Sequence, residues 1–210
     1  MYMYHQKKKI KKGRNKMFFR RIIGAIAKVI LRIFFTITYR LKVEGTENIP
    51  KEKNEPLIFC ANHRSYLDPP LIECTTKRTV RFLAKDELHE NKFIAFWMYV
   101  YEGIYVKRDS KDVKSLKETM KALKNNESIG IFPEGTRNGV EKGESAKEGA
   151  AFFAVRTGAK VIPIGISGGE KPFKKMIIRY GKPLDYSGRN KDELEKITEE
   201  IMEEIKKLAK

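Results

Sequence analysis

Hydrophobic and polar positions along the chain form blocks that predict β-strands and α-helices in alternation. Continuous apolar runs bounded by turn residues predict buried strands, and apolar residues spaced three or four apart predict helices with one buried face. The predicted strands lie at residues 41–45, 56–62, 79–85, 103–108, 160–167 and 176–184, with one more at the start of the segment 128–137. The predicted helices begin at Pro69, at residue 91, at Ser110, at residue 146 and near Leu194.

Alternation of this kind, without an internal repeat, predicts one α/β domain whose sheet is flanked by helices. A chain of 210 residues is long enough for one sizeable core, and 41% hydrophobic with 34% charged residues describes a folded protein. We divide the chain into a basic tail at residues 1–16, an amphipathic helical segment at 17–40 and the α/β domain at 41–210.

The net charge of +17 is concentrated near the N-terminus. Residues 1–42 contain thirteen Lys or Arg and no Asp or Glu, whereas the other 168 residues carry 31 basic and 27 acidic side chains. The stretch KKKIKKGRNK at residues 7–16 has too little apolar surface to fold alone, so we expect a solvated tail there.

The segment at residues 17–40 is apolar but interrupted by charge. Its longest uncharged run, Ile33 to Tyr39, has seven residues, well short of the roughly 20 that a bilayer-spanning helix needs. At about 100° per residue, Arg21, Lys28 and Arg32 fall in one stripe, and Phe, Ile and Leu cover most of the remaining surface. We therefore predict a helix in an anionic membrane interface, with its cations extended toward lipid phosphates. The alternative is a helix packed into the core with its charges toward solvent.

A basic segment also suits the phosphates of nucleic acid. The sequence has no zinc-finger spacing, no aromatic signature of an RNA-recognition motif and no evident recognition helix, so we expect no nucleic-acid partner. The cysteines Cys60 and Cys74 show no CxxC spacing, and three scattered histidines predict no metal site. Because no small-residue cleavage site follows the apolar segment, we expect no signal peptide. Without a secretory signal, we expect both cysteines to be reduced thiols.

The stretch NHRSYLD places His63 five residues before Asp68, directly after a predicted strand. A histidine acts well as a general base when an acidic group holds its other ring nitrogen. Asp68 is followed by Pro69 and Pro70, which is also the pattern of a helix start with Asp68 as its N-cap. The spacing alone leaves two interpretations open. Asp68 orients a catalytic His63, or Asp68 only caps the helix and His63 is an ordinary loop residue.

A second polar cluster, FPEGTR at residues 132–137, follows another apolar strand. Gly135 allows the backbone to approach a ligand closely, and Arg137 can bind an anion through two parallel hydrogen bonds. The alternative is a simple strand-to-loop turn with Arg137 in a surface ion pair.

Together these motifs resemble the 1-acyl-sn-glycerol-3-phosphate acyltransferases, a family of glycerolipid acyltransferases. NHRSYLD at 62–68 matches the family's NHxxxxD block, and GIYVKR at 103–108 matches its second block. FPEGTR matches the third block, and VIPI at 161–164, with Pro163, matches the fourth. FLAK at 82–85 matches the segment whose lysine helps to bind the acceptor phosphate. The resemblance covers nearly the whole chain after residue 40.

The resemblance implies an α/β domain with a central mixed sheet, preceded by a membrane-interfacial helical segment. It implies transfer of a fatty acyl group from acyl-CoA or acyl carrier protein to the free sn-2 hydroxyl of 1-acylglycerol-3-phosphate, forming phosphatidic acid. No resident cofactor and no metal are implied. The expected location is the cell membrane, peripheral or monotopic, with the active site on the cytoplasmic side.

The resemblance also implies roles for individual residues. His63 would be the general base and Asp68 its orienting partner, while Lys85, Arg108 and Arg137 would hold the glycerol phosphate. The substrate-binding residues so implied are Asn62, Lys85, Arg108, Glu134, Gly135, Thr136 and Arg137. One departure from the family pattern, AKEGA at 146–150 in place of an FKKGA-like run, leaves the acceptor and acyl preference open.

Three alternatives accompany this reading. The chain could use another lysophospholipid or a glycerol phosphate acceptor, or it could be a catalytically silent membrane-binding relative. The segment GISGG at 165–169 also fits the G-x-S-x-G motif of hydrolases. No histidine follows His89, so Ser167 would lack the downstream base of that fold, and we reject the hydrolase interpretation.

Overall fold

The computed structural model describes residues 2–52, 54–107, 112–137 and 146–210, with side chains from residue 17 onward. Its helices are α1 (Tyr2–Tyr39), α2 (Asp68–Thr75), α3 (Lys92–Val100), α4 (Val113–Lys124), α5 (Gly149–Thr157) and α6 (Leu194–Leu208). Its strands are β1 (Lys42–Glu44), β2 (Leu57–Ala61), β3 (Val80–Lys85), β4 (Ile104–Val106), β5 (Ser128–Ile131), β6 (Lys160–Gly168) and β7 (Met176–Tyr180). Short 3₁₀ helices occur at Thr46–Asn48, Asp86–Glu90 and Lys191–Glu193. The predicted alternation is confirmed.

The strands form one sheet in the order β1-β7-β6-β2-β5-β3-β4. Strands β6, β2, β5, β3 and β4 are mutually parallel, β7 runs antiparallel to β6, and β1 is parallel to β7. The sheet is therefore mixed, as expected. We call the edge at which β2, β3, β4 and β5 end the carboxyl edge. Loops from neighbouring parallel strands meet at such an edge, which is where open α/β sheets bind ligands.

The two faces of the sheet carry separate cores. On one face, Phe35 of α1 and Leu71 of α2 join a buried cluster with Phe59 of β2 and Tyr180 of β7. On the other face, α4, α5 and α6 cover a cluster that includes Ile58. Because successive residues of a strand point to opposite faces, adjacent residues Ile58 and Phe59 belong to different cores.

Helix α1 is longer than predicted, since it begins at Tyr2 and includes residues 7–16, where we expected a solvated tail. Its segment Met17–Tyr39 is long and apolar enough to cross a membrane by length and composition, so our expectation that its charges make it too short does not hold on those criteria. Large apolar side chains are exposed along it: Phe18, Phe19, Ile22, Ile23, Ile26, Val29, Ile30, Ile33, Phe34 and Ile37.

One charged residue of α1, Lys28, faces the α/β domain. Lys28 Nζ lies 2.9 Å from Glu73 Oε1 and donates to the carbonyl oxygen of Arg78 at 2.6 Å. Glu73 is almost fully buried, and its other oxygen accepts the N–H of Val80 at 2.9 Å. Burial raises the pKa of the Glu73 carboxyl above its ordinary value, against the opposing effect of Lys28. The predicted extension of Lys28 toward lipid phosphates is therefore wrong, and so is its orientation toward solvent in the alternative.

Candidate active site

Strand β2 ends at Ala61, and the next residue, Asn62, secures the chain that follows. The Asn62 side chain accepts the N–H of Ile166 at 2.8 Å and donates to the carbonyl oxygen of Ile166 at 2.9 Å. These two bonds continue the connection between β2 and β6 beyond their last paired residues, Ala61 and Ile164. They hold His63 at the carboxyl edge, a positioning role that the sequence did not indicate. The substrate-binding role of Asn62 remains a prediction.

His63 and Asp68 lie in contact. His63 Nδ1 is 2.9 Å from Asp68 Oδ2, with the Asp68 side chain almost fully buried and the imidazole 18% exposed. When Nδ1 carries the proton and donates it to the carboxylate, Nε2 is left as an acceptor. The contact between Asp68 and His63 that the first interpretation requires is therefore present, and the catalytic role of His63 stays a prediction.

Asp68 does not cap the helix that follows it. It is the first residue of α2, and no side-chain hydrogen bond caps that helix. Its Oδ2 atom instead accepts the backbone N–H groups of Arg64 and Ser65, each at 2.7 Å. The predicted N-cap role is therefore wrong, because the carboxylate organises the preceding loop. A carboxylate that accepts several N–H bonds is held in one orientation.

The imidazole of His63 is also held by aromatic stacking. Its ring centroid is 4.1 Å from that of Phe132, with 21° between the planes, and Phe132 in turn stacks on Phe82 at 5.9 Å. Phe132 is the first residue of FPEGTR, so the residue directly after β5 supplies the ring that packs against the histidine. Sequence reasoning missed this contact, although the position of Phe132 after a parallel strand was a usable signal.

Glu134, in the turn after β5, contacts the loop at residues 62–67 that carries His63, which we call the histidine loop. This residue is 6% exposed, and its Oε1 atom accepts the backbone N–H of His63 at 3.2 Å. Gly135 adopts φ +70°, a conformation in which side chains are strained, and its Cα faces the aliphatic part of Lys147. Thr136 is half-buried beside it. Glu134 thus connects the two sequence motifs directly.

Arg137 also contacts the histidine loop. Its Cζ atom lies 4.0 Å from the ring centroid of Tyr66, and both side chains are exposed. A guanidinium over an aromatic face is an attractive contact of about 0.5–1 kcal/mol at an exposed site. The contact orients Arg137 near the site and leaves its N–H groups available for an anion.

Lys85, the last residue of β3, lies at the same edge of the sheet. Its Nζ atom is 3.8 Å from Glu87 Oε2, and the side chain is 41% exposed, so this pair is weak. Arg108 lies outside the described residues, and its predicted role stays a prediction. Since the sheet order places β3 next to β5, Lys85 at the end of β3 and the turn after β5 that carries Arg137 lie at the same edge of the sheet.

The surroundings of three residues of nucleophilic type, Ser167, Cys60 and Cys74, do not favour a role in catalysis. Ser167 lies within β6, where its Oγ atom accepts from Arg179 at 3.3 Å, and the chain then turns into antiparallel β7 rather than a helix. This arrangement agrees with our rejection of a hydrolase elbow. Burial raises the pKa of the Cys60 thiol strongly and that of Cys74 to about 11, so both are poor nucleophiles.

Comparison with known proteins finds acyltransferases both among family models and among individual relatives. Residues 40–167 match the family model described as Acyltransferase. The chain is 33% identical over 141 residues to a 1-acyl-sn-glycerol-3-phosphate acyltransferase of Borreliella burgdorferi, covering 66% of this chain and 56% of that protein. It is 32% identical over 145 residues to the chloroplastic 1-acyl-sn-glycerol-3-phosphate acyltransferase LPAT1 of Arabidopsis thaliana, covering 68% of this chain and 40% of that one. The chain thus spans about half the length of these two relatives.

A solved structure is similar over a greater length. The crystal structure of the 1-acyl-sn-glycerophosphate (LPA) acyltransferase PlsC from Thermotoga maritima superposes with a TM-score of 0.71 at 30% identity, covering 90% of this chain and 80% of that chain. The fold described above is therefore shared with that protein.

Proposed function

The chain belongs to the acyltransferase family, and on that premise we propose that it acylates the sn-2 hydroxyl of 1-acyl-sn-glycerol-3-phosphate to form phosphatidic acid. The acyl donor is a thioester, acyl-CoA or acyl carrier protein. The observation that carries the proposal is the contact of His63 Nδ1 with buried Asp68 Oδ2 at 2.9 Å, beside the FPEGTR turn.

In the proposed reaction, His63 Nε2 takes the proton of the acceptor hydroxyl while the hydroxyl oxygen attacks the thioester carbon. The tetrahedral intermediate collapses with cleavage of the C–S bond, and the proton passes from His63 to the leaving thiolate. An O–H and a C–S bond are broken, and an ester C–O and an S–H bond are formed. A thiol pKa of about 8.5 makes the thiolate a good leaving group, so one base suffices.

The structure supports this role for His63 by holding the ring on two sides. Asp68 fixes the tautomer and stabilises the imidazolium that forms, and Phe132 fixes the plane of the ring. General-base assistance contributes about 10²–10⁴-fold, and substrate positioning supplies much of the remainder. No resident cofactor enters the proposal.

We assign the acceptor phosphate to the cations at the carboxyl edge. Arg137 is oriented by Tyr66, and Lys85 lies on the adjacent strand end. Arg108 is the third candidate from the family resemblance. A guanidinium and an ammonium together offer a bidentate and a point-charge contact to one phosphate group.

We further propose that the protein is monotopic at the cytoplasmic side of the cell membrane. Helix α1 contacts the domain at Gly24, Lys28, Phe35 and Tyr39, so the domain lies along its apolar segment. The 20 residues from Arg20 to Tyr39 extend about 30 Å at 1.5 Å per residue, which is comparable to the hydrocarbon core. A helix attached to the domain over that length cannot cross a bilayer without immersing the domain. Its outer face is therefore the surface offered to one leaflet.

The test is turnover by the full chain in lipid vesicles, with lysophosphatidic acid and either acyl-CoA or acyl carrier protein as donor. His63→Ala should lose activity by at least about 10²-fold, and His89→Ala is the matched control because His89 is exposed. Equal turnover by wild type and His63→Ala would exclude the base assignment. A higher kcat/KM with another lysophospholipid would exclude the proposed acceptor.

A further inference from the structure

Helix α3 exposes three aromatic side chains. Phe93, Phe96 and Tyr99 are spaced three residues apart, which places them along one side of the helix. Phe93 is 71% exposed, and the other two are about half exposed. Within α3, Lys92 is the one charged residue, at the first helical position. Nothing in the mechanism above uses this aromatic face.

The aromatic face adjoins helix α1. Gly24 lets the two helices approach closely, since a Cβ there would lie 3.2 Å from the Tyr101 ring, and Tyr101 OH donates to the Gly24 carbonyl at 3.2 Å. Arg20 of α1 lies over the ring of Tyr99 at 5.0 Å and forms an ion pair with Glu102. The two helices are therefore fixed to each other at this end, and the aromatic face lies beside α1 at Tyr99.

The topology also connects α3 to the candidate site. Strands β3 and β4 are parallel, so the helix between them must run back from the carboxyl edge. The start of α3, with Phe93, follows Lys85 through the 3₁₀ helix Asp86–Glu90 and lies toward that edge. Tyr99 lies at the other end, beside Arg20. The aromatic face thus extends from α1 toward the proposed phosphate site.

We infer that the aromatic face of α3 is a second membrane contact, whose occupant is the interfacial region of the lipid bilayer that covers α1. Phe and Tyr side chains at the surface are typical of such an interface, where an apolar ring and a polar end are both accommodated. As part of the same inference, which here rests on the proposed function, the lysophospholipid acceptor leaves the bilayer along this face to reach the carboxyl edge.

Two exposed apolar residues of helix α4 lie far from this surface. Val113 and Leu116 of α4 are also exposed, but α4 covers the opposite face of the sheet from α1. A membrane in contact with the outer face of α1 lies away from α4. These two residues therefore provide a matched control.

Trp97, the chain's only tryptophan, lies on α3 and reports on this contact directly. The full chain is bound to vesicles of phosphatidylglycerol and phosphatidylcholine that carry doxyl quenchers at a shallow or a deep position of the acyl chain. We expect Trp97 emission to shift to the blue, to be quenched more by the shallow label, and to be protected from aqueous iodide. Unchanged emission and full access to iodide on vesicle-bound protein would overturn the inference.

The variant Phe93→Ser/Phe96→Ser should remain bound through α1 but lose the lipid quenching of Trp97. Val113→Ser/Leu116→Ser should quench like wild type. Equal quenching in the aromatic variant and wild type would overturn the assignment to α3. An emission shift that depends on protein concentration and not on the lipid label would instead identify a second copy of the chain as the occupant.

Turnover separates this inference from the proposed function. With long-chain acceptor embedded in vesicles, the aromatic variant should show a KM about tenfold higher, while a short-chain, water-soluble acceptor should show less than about a twofold change. If the wild type turns over and the aromatic variant loses activity equally on both acceptors, the route of the acceptor along α3 is excluded, but the proposed function is not. Absence of wild-type turnover would refute the proposed function, and the quenching experiment would still test the membrane contact.

Discussion

His63 Nδ1 and Asp68 Oδ2 lie 2.9 Å apart, and the same carboxylate oxygen holds the loop between them through the N–H groups of Arg64 and Ser65. One buried atom therefore orients the proposed base and shapes the turn that presents it. Replacing the carboxylate affects the charge without a large change in volume, which makes Asp68 the most informative position in the site.

Asp68→Asn should lower kcat about 10³-fold with little change in KM, because the amide no longer stabilises the imidazolium or enforces its tautomer. Steady-state kinetics at saturating donor measure both constants. Asp185→Asn is the control, since Asp185 is an exposed loop acid that accepts the N–H of Ser187. A change in KM with kcat unaltered would contradict the orienting role of Asp68.

Phe132→Leu removes the ring that stacks on His63 but keeps an apolar side chain of similar size. The stacking contact is worth about 0.5–1.5 kcal/mol, so kcat should fall by up to about tenfold. Phe152→Leu, which removes an aromatic pair on α5, should leave kcat unchanged. Unchanged kcat in Phe132→Leu would show that Asp68 alone is sufficient to position the imidazole.

Tyr66→Leu should raise the KM for lysophosphatidic acid about two- to fivefold, because Arg137 loses the ring that orients its guanidinium. Tyr66→Phe keeps the ring and should behave like wild type. The comparison of the two variants, at fixed donor concentration, separates the aromatic contact from the hydroxyl. Equal KM values for Tyr66→Leu and Tyr66→Phe would show that the Tyr66 ring does not contribute to phosphate binding.

Lys28→Met should destabilise the protein by about 3–5 kcal/mol, because it leaves the Glu73 carboxylate buried without its partner. Lys28→Met/Glu73→Gln should recover most of that loss, since neither charge is then buried. Thermal unfolding in detergent provides the comparison.

The effect of Lys28→Met should depend on pH in a defined direction. Burial already raises the pKa of Glu73 in the folded state, and Lys28 opposes that rise, so the variant raises the pKa further. A raised pKa means that the folded state binds the proton more tightly, and the associated stability is lost as pH increases through that value. The difference in Tm between wild type and variant should therefore widen as the pH rises above the folded-state pKa of Glu73 in wild type, toward the higher pKa in the variant. A difference in Tm that does not change with pH would contradict a higher pKa of Glu73 in the variant.

Thiol reagents should leave the activity intact. A pKa of about 11 leaves roughly one Cys74 in three thousand ionised at pH 7.5, and Cys60 is fully buried in β2. Mass spectrometry after N-ethylmaleimide treatment should find Cys60 unlabelled and Cys74 labelled slowly. Rapid modification of Cys60 with loss of turnover would indicate that β2 opens near His63.

Local pattern was sufficient for the elements and the order of the motifs. Alternating apolar runs predicted the strands that form the sheet, and their order along the chain placed NHRSYLD and FPEGTR after parallel strands. Helix α5 ends at Thr157 and is followed by Gly158, which adopts φ +67°, as the position of this glycine near the end of the predicted helix indicates. Such features depend on residues a few positions apart, and a sequence displays them directly.

Partner choice was predicted poorly. The charges of α1 were expected toward lipid or solvent, and Lys28 faces Glu73 instead. The hydrogen bonds of Asn62 with Ile166 were not predicted either, whereas its expected role at the substrate stays a prediction. Each partner lies 45 or more positions away in the chain, where spacing carries no information.

The sequence by itself determined the α/β class, the strand-end positions of His63 and Arg137, and the apolar character of α1. Only the tertiary structure decided which oxygen of Asp68 contacts His63, that Phe132 stacks on the imidazole, and which side of α1 faces the domain. The physical reason is that helical and strand periodicity define the faces of an element. The surface against which each face packs depends on long-range contacts that form only when the sheet is assembled.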